Sequence, residues 1–315
     1  MKYNEIVGLE TNVSEMGFGL WTLSTHGWGS ITPEGASNIL NEAFSLGVNL
    51  FDTADSYGNG YSEELIAEAL STVRKNIVIS TKVGVDFYHS DIFGEDSNKK
   101  NFSPDYLIYS CEQSLRRLKT DYIDLFQMHY PNLTDVESDG AFEALERLKE
   151  QGKILTWGSA IEIDSDSREV CEILVSERDC QFFQLPYNPI EIDMLRTIED
   201  NSTLTNLDIV ARRTHFYGLL DSTFDRSILL ENKELIERLG AIGSPMQFVD
   251  KFIKICMEFD LDPRVVALRF PLQNQLVSAI LPNITGSDTL REFIGGLEQN
   301  DLPEEITDLI NDLVS

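Results

Sequence analysis

Positive charge is scarce in this chain. Its 315 residues carry 25 lysines and arginines against 53 aspartates and glutamates, a formal net charge of −28. Affinity for nucleic acid rests on Lys and Arg meeting phosphates, and attraction to anionic membrane surfaces needs the same side chains, so neither partner is expected. The acid excess predicts a soluble, self-repelling surface. Long apolar runs are missing too: nothing approaches the roughly 20 residues of a membrane-spanning helix. The first ten residues, Met1 to Glu10, hold no apolar core of a secretory signal. The four cysteines, Cys111, Cys171, Cys180 and Cys256, are scattered without CxxC spacing. That argues against a disulfide framework or a metal site, and for reduced, buried thiols in a cytoplasmic protein. No internal repeat, low-complexity stretch or linker breaks the chain, so a single domain over residues 1–315 is expected.

What is present is an alternation. Short apolar, partly β-branched runs at 13–20, 48–51, 76–82, 122–128, 154–157, 181–185, 207–211 and 277–281 read as strands. Between them lie segments of helical spacing. Thr32 and Pro33 open one whose apolar stripe is Ile39, Leu40, Ala43, Phe44 and Leu46; Ser62 reads as the N-cap of the next, with Glu63 and Glu64 in its first turn. Two long connections remain, at 83–102 and 213–245. Near-continuous apolar strands separated by helices imply a parallel sheet covered by helices. About eight such units predict an α/β chain closed into a (β/α)8 TIM barrel. A doubly wound Rossmann sheet is the alternative, but it should carry G-x-G-x-x-G after its first strand. Gly17-Phe-Gly19 lacks the third glycine, and Gly58 and Gly60 follow the second strand.

In a barrel, residues at strand C-termini converge on one face. Asp52 and Tyr57 follow the second strand, Lys82 ends the third and His129 ends the fourth. A lysine ending an apolar strand is costly unless an acid pairs with it, and Asp52 is the obvious partner. A nearby ammonium favours the phenolate, so Lys82 is expected to lower the Tyr57 pKa toward working pH. His129 can hydrogen-bond and orient a carbonyl oxygen. Taken singly, these are an ordinary ion pair, a core histidine and a packed tyrosine. Their occurrence on three successive strand ends favours catalysis. No nucleophile or electron source accompanies them, which points to a bound cofactor. The glycines 58 and 60 read as turn residues rather than a phosphate cradle.

Several stretches together resemble the aldo/keto reductase superfamily: Gly17-Phe-Gly-Leu-Trp21, the run from Asn49 through Asp52-Thr-Ala-Asp-Ser-Tyr57 to Glu63, Ser80-Thr-Lys-Val-Gly84, the run from Ser114 to Leu125, Gln127-Met-His-Tyr-Pro131 and Gly152-Lys-Ile154. The resemblance implies a (β/α)8 barrel, hydride transfer from NAD(P)H to an aldehyde or ketone, a sugar or sugar derivative among the candidates, and a tetrad at Asp52, Tyr57, Lys82 and His129. Tyr57 would be the general acid, tuned by Lys82 and Asp52, with His129 orienting the substrate. Trp21, Phe87 and Tyr130 would line the substrate pocket; Trp28, Tyr88 and Phe93 divide evenly between pocket and packing. Cofactor contacts would come from Ser159, Gln184, Arg212, Asn283, Thr285, Ser287 and Arg291. Some family positions differ. The usual Ser-Asn pair after the fifth strand is here Ala160-Ile161, the slots Asn283, Ile284 and Thr289 are neutral, and Phe293 replaces an asparagine. Family habit favours NADP(H), with NAD(H) open. Two other readings stand beside the reductase. One is a cofactor-binding regulatory relative without catalysis. The other is an aldolase with a Schiff base on Lys82.

Overall fold

A computed structural model describes residues 1–24, 31–88, 99–200, 207–221, 245–299 and 301–313. The chain opens with a small antiparallel hairpin, β1 (Tyr3–Asn4) and β2 (Val13–Ser14). Eight parallel strands follow in sequence order: β3 (Phe18–Gly19), β4 (Leu50–Asp52), β5 (Val78–Val83), β6 (Ile123–His129), β7 (Ile154–Ala160), β8 (Phe182–Pro186), β9 (Asp208–Arg212) and β10 (Val277–Leu281). The sheet curls back on itself. The Gly17 N–H donates to the Ile280 carbonyl and the Ile280 N–H to that of Glu15, both at 2.9 Å. The result is the nearly closed barrel that the alternating units predict. The run 13–20 is two strands rather than one. Gly17 separates them, where a Cβ would come within 2.8–2.9 Å of the Leu281 and Leu50 side chains.

Side chains alternate across a strand, and that parity sorts the barrel into layers. Leu50, Val78, Leu125, Phe182, Val210, Ala279 and Leu281 form an apolar floor, and Ile6 and Val13 of the hairpin region join them as one buried cluster. Two residues further along the same strands come Asp52, Ser80, Gln127, Gln184 and Arg212. Two further still come Lys82 and His129. Apolar packing thus fills the N-terminal end, and polar groups occupy the C-terminal end.

Helices cover the outside, where their apolar stripes and the outward faces of the strands make the main core. The helix Pro33–Ser45 starts as expected, with the Thr32 hydroxyl accepting the Gly35 N–H at 3.1 Å. The next helix, Tyr61–Leu70, does not: its cap is Gly60, in a left-handed conformation with φ +96°, and Arg117 lies where a Cβ would stand, 2.5 Å away. Ser62 is instead buried inside the first turn, accepting a 2.6 Å hydrogen bond from the Thr53 hydroxyl. The short helix Pro263–Arg269 has no counterpart in the sequence reading. Asp262 caps it by accepting the Arg264 N–H at 2.9 Å, a three-residue signal too brief to show as periodicity. All four cysteines are buried and unpaired, and among the described residues no helix is long and apolar enough to cross a membrane.

Candidate active site

The C-terminal ends of β4, β5 and β6 bring Asp52, Tyr57, Lys82 and His129 together. Lys82 is fully buried, with Nζ 2.5 Å from Asp52 Oδ1 and 2.8 Å from the Thr53 carbonyl oxygen. The other carboxylate oxygen, Oδ2, accepts from Ser80 Oγ at 2.7 Å and from Gln184 Nε2 at 2.7 Å. Since Ser80 gives its proton to Asp52, its oxygen must accept, and Gln127 Nε2 supplies that donor at 2.6 Å. Asp52 is therefore held from β5, β6 and β8 at once. Sequence reading did not single out Ser80 and Gln127. Their signal was parity: each sits two residues before Lys82 and His129 on the same strand face.

Tyr57 stands above this pair. Its ring centre is 5.3 Å from Lys82 Nζ and 5.9 Å from the His129 ring, edge-on to it. The expectation that Lys82 lowers the phenol pKa is corrected here. Burial raises it well above the ordinary tyrosine value, helped by Tyr130 and Asp52; Arg212 and Arg213 pull it back only in part. Lys82 is engaged with Asp52, so the pair presents Tyr57 with little net charge. Burial also pulls Lys82 itself down, against the upward pull of Asp52. His129 is driven well below its usual value by burial and by Lys82, Lys100 and Arg212. It is a neutral imidazole, and its buried Nδ1 has no hydrogen-bond partner among the described residues. The arrangement can hold a proton on Tyr57 and offer one hydrogen-bonding imidazole beside it.

The Tyr130 ring lies 4.5 Å from that of His129, tilted 58° to it, and the Arg212 guanidinium lies 5.1 Å from the Tyr130 ring centre. Arg212 donates to the Ile161 carbonyl at 2.9 Å and to Glu162 at 3.2 Å. Its buried Nε has no partner among the described residues. Arg213 is tied to Glu162 at 2.5 Å and to Glu191 at 3.4 Å. His215 stacks on Phe293 at 4.8 Å and meets the Arg264 carbonyl oxygen, so both it and Arg213 are built into the wall. Of the other expected pocket residues, Trp21 is 42% exposed just past β3. Phe87 joins an aromatic cluster, 4.0 Å from Tyr88, which continues to Tyr106 and Tyr109. Trp28 and Phe93 lie outside the described residues.

Between Asp52 and Tyr57, Asp55 is fully buried, and neither carboxylate oxygen has a hydrogen-bond partner among the described residues. Burial first, and buried Glu63 second, raise its pKa strongly. Glu63 is matched: Arg117 donates to it at 2.6 Å and Thr81 at 2.7 Å.

The profile of the aldo/keto reductase family matches residues 15–314. The chain belongs to that family. The uncharacterized oxidoreductase YqkF of Bacillus subtilis (strain 168) is 28% identical over 311 residues, covering 97% of this chain and 94% of that protein. The NADH-specific methylglyoxal reductase of Escherichia coli (strain K12) is 26% identical over 311 residues, covering 92% of each. Among solved structures, the aldo-keto reductase AKR11C1 from Bacillus halodurans in its holo form superposes with a TM-score of 0.83 over the whole of this chain and 97% of that one, at 24% identity. Family members are in general NAD(P)H-dependent oxidoreductases.

In this aldo/keto reductase the barrel mouth suits a nicotinamide: Gln184, Ser159, Arg212 and Tyr130 surround the C-terminal ends of β6 to β9, and the orphaned Arg212 Nε and His129 Nδ1 call for further polar partners. Gln184, however, is committed to Asp52, and among the described residues Ser159 Oγ makes only long bonds, 3.4 Å to the Met128 carbonyl and 3.5 Å to that of Ala160. The segment after β10 is less suited to a phosphate. Ile284 is buried, Asn283 is half-buried, and Thr285 is exposed with its hydroxyl 3.3 Å from that of Thr289. Arg291, the single cation there, faces Glu42 at 2.6 Å and Asp288 at 3.6 Å. Glu42 also hydrogen-bonds Ser287, and that bond, followed by Arg291, lowers its pKa.

Proposed function

We propose that this aldo/keto reductase reduces the carbonyl of a small aldehyde or ketone to an alcohol. The observation that carries the reading is the meeting of Tyr57, the Lys82–Asp52 pair and His129 on three successive strand ends. A bound nicotinamide cofactor supplies the hydride; the chain's own residues supply position and a proton. Ser80, Gln127 and Gln184 fix Asp52, and Asp52 fixes Lys82. Burial keeps the Tyr57 phenol protonated, as a general acid requires. Neutral His129 can donate a hydrogen bond to the carbonyl oxygen and aim it at Tyr57. When the phenol gives up its proton, Arg212 and Arg213 face the phenolate with positive charge.

The full-length likeness to a protein named a methylglyoxal reductase supports a small aldehyde as substrate, with sugars and their derivatives the next class. NADPH follows family habit. The neutral slots after β10 and the acid Glu42 beside Ser287 favour NADH as well, in line with the NADH-specific relative. The buried, unpaired thiols suit a cytoplasmic setting. A Schiff base on Lys82 is disfavoured, because Nζ is fully buried and spent on Asp52 and the Thr53 carbonyl. The test is a panel of methylglyoxal, small aldehydes, ketones and sugars with each nicotinamide cofactor, followed by cofactor oxidation. Turnover with at least one substrate is expected. Cofactor binding with no turnover on any would favour the regulatory reading instead.

A further inference from the structure

Lys100 reaches the active site from the connection after β5. Val85 forms an antiparallel bridge with Lys100. The Asn101 N–H donates to the Gly84 carbonyl at 2.9 Å, and the Asp86 N–H to that of Lys99 at 2.8 Å. These bonds return the chain to the exit of β5, next to the end of β6. From there Lys100 Nζ donates to the carbonyl oxygen of His129 at 2.7 Å and stands 5.2 Å from the centre of the Tyr130 ring. Arg212 is 5.1 Å from the same ring centre.

The backbone at this point is strained. Tyr130 has φ +58°, the left-handed region that a bulky L-residue rarely adopts. Such a conformation persists only where the surroundings over-determine it. The Tyr130 N–H continues the ladder to the Ala160 carbonyl at 3.0 Å, and the two cations grip the carbonyl before the bend and the ring after it. The residue that precedes the bend is His129, whose imidazole lies edge-on to Tyr57.

We propose that Lys100 is a positioning residue for carbonyl reduction: its ammonium clamps the His129–Tyr130 bend and thereby aims the His129 imidazole at the Tyr57 hydroxyl. This rests on the reductase reading above. Burial pulls the Lys100 amine down to about 8, against smaller upward pulls from Asp135 and Asp55. Those acids face it from the helix Leu133–Glu137 and from the loop after β4; His129 and Tyr130 face it from β6, and Arg212 from β9 across the Tyr130 ring. Asp135 Oδ2 accepts the Asn132 N–H at 2.9 Å. The charge is present below about pH 8 and lost above it. A neutral amine keeps hydrogen-bond donors but loses the charge-assisted bond and the attraction to the ring. Losing the ammonium also relieves the downward pull on His129, but that group is already neutral at such pH, so the clamp alone governs this limb.

The experiment is a pH profile of kcat and KM for the full-length wild type, Lys100→Met and Lys100→Arg, with imidazole NMR of His129 in the cofactor-free proteins. The wild type is expected to lose kcat as pH rises through about 8. Lys100→Met should fall in kcat by roughly tenfold or more at neutral pH, the size expected for a misaimed catalytic group, with KM and cofactor affinity little changed and no limb near 8. Lys100→Arg should recover most of the lost kcat and carry it past that limb, since guanidinium stays charged. Equal losses in both variants, or a Lys100→Met protein with wild-type kcat and profile, overturn the proposal. If the wild type turns over no carbonyl at all, the reductase reading fails on its own and the NMR decides the clamp. A His129 shift through pH 8 that vanishes in Lys100→Met supports it, and no such shift in the wild type overturns it.

Discussion

The interior of β4 to β6 and the segment from Asn283 to Arg291 are built on opposite terms. In the first, the charges of Lys82 and Asp52 are buried and matched. Lys82 meets Asp52, and Asp52 meets Ser80 and Gln184. In the second, Arg291 is 61% exposed and shared between two acids. Charges buried in this way cannot lose one partner without large cost. An exposed ion pair contributes about 0–1 kcal/mol and is exchanged readily. The barrel interior should therefore be intolerant of substitution, and the segment after β10 adaptable.

The strongest blow to that contrast is Tyr57→Phe. The hydroxyl is the proton source and the phenyl ring keeps the packing. Turnover should fall by about two to four decades, with folding and cofactor binding nearly intact. A variant that kept most of the wild-type kcat would remove Tyr57 as the acid.

Lys82→Met tests the buried pair. Asp52 would keep Ser80 and Gln184 as donors, so the stability loss should lie near the lower end of the range for breaking such a pair, about 3 kcal/mol. Activity should be lost with it. Adding Asp52→Asn should return part of the stability and none of the activity. Thermal melts of the two single variants and the double give the answer, and identical midpoints would show that the groups are not coupled. Gln127→Leu is milder. It deprives the Ser80 oxygen of its donor, but it also removes Gln127 Oε1, a buried acceptor with no partner among the described residues. The two effects oppose, so a loss of only about 1 kcal/mol is expected, with kcat reduced because Asp52 is held less firmly. A larger loss than for Lys82→Met would mean that the ring is organised around Gln127 rather than around the ion pair.

These layers explain why the two regions differ in legibility. The barrel was readable because strands repeat every two residues and each apolar run sits between helical segments. The convergence of Asp52, Lys82 and His129 followed once the strand ends were placed. Two things did not follow. The Tyr57 pKa depends on how far its surroundings exclude water, which sequence does not display, and burial outweighed the lysine. Arg291 was the only cation in its segment, but its partner Glu42 is about 250 positions away on another helix, and no local pattern announces that meeting. Lys100 was hidden for a similar reason: it joins the site through a backbone bridge to Val85.

The smallest expected effect lies in that adaptable segment. Without a committed cation, affinity for NADPH and for NADH should differ by less than about two decades, roughly 2.7 kcal/mol. Glu42 is ionised at neutral pH like any ordinary carboxylate, and the bond from Ser287, then Arg291, lower its pKa further against the opposing pull of burial. It opposes an added phosphate by charge and also occupies Arg291. Since an exposed pair of this kind is worth at most about 1 kcal/mol, a phosphate can still compete for Arg291. Glu42→Gln should therefore strengthen NADPH by no more than about tenfold and leave NADH alone. Arg291→Ala should weaken NADPH alone, by a similar factor or less. Fluorescence titration of both cofactors at low and high salt measures this directly. The overall charge of −28 repels the more highly charged NADPH at long range, a part that salt screens while the local pairings persist. A preference of several decades for NADPH, unmoved by either substitution, would place the phosphate elsewhere and undo the contrast between the rigid ring and the adaptable segment.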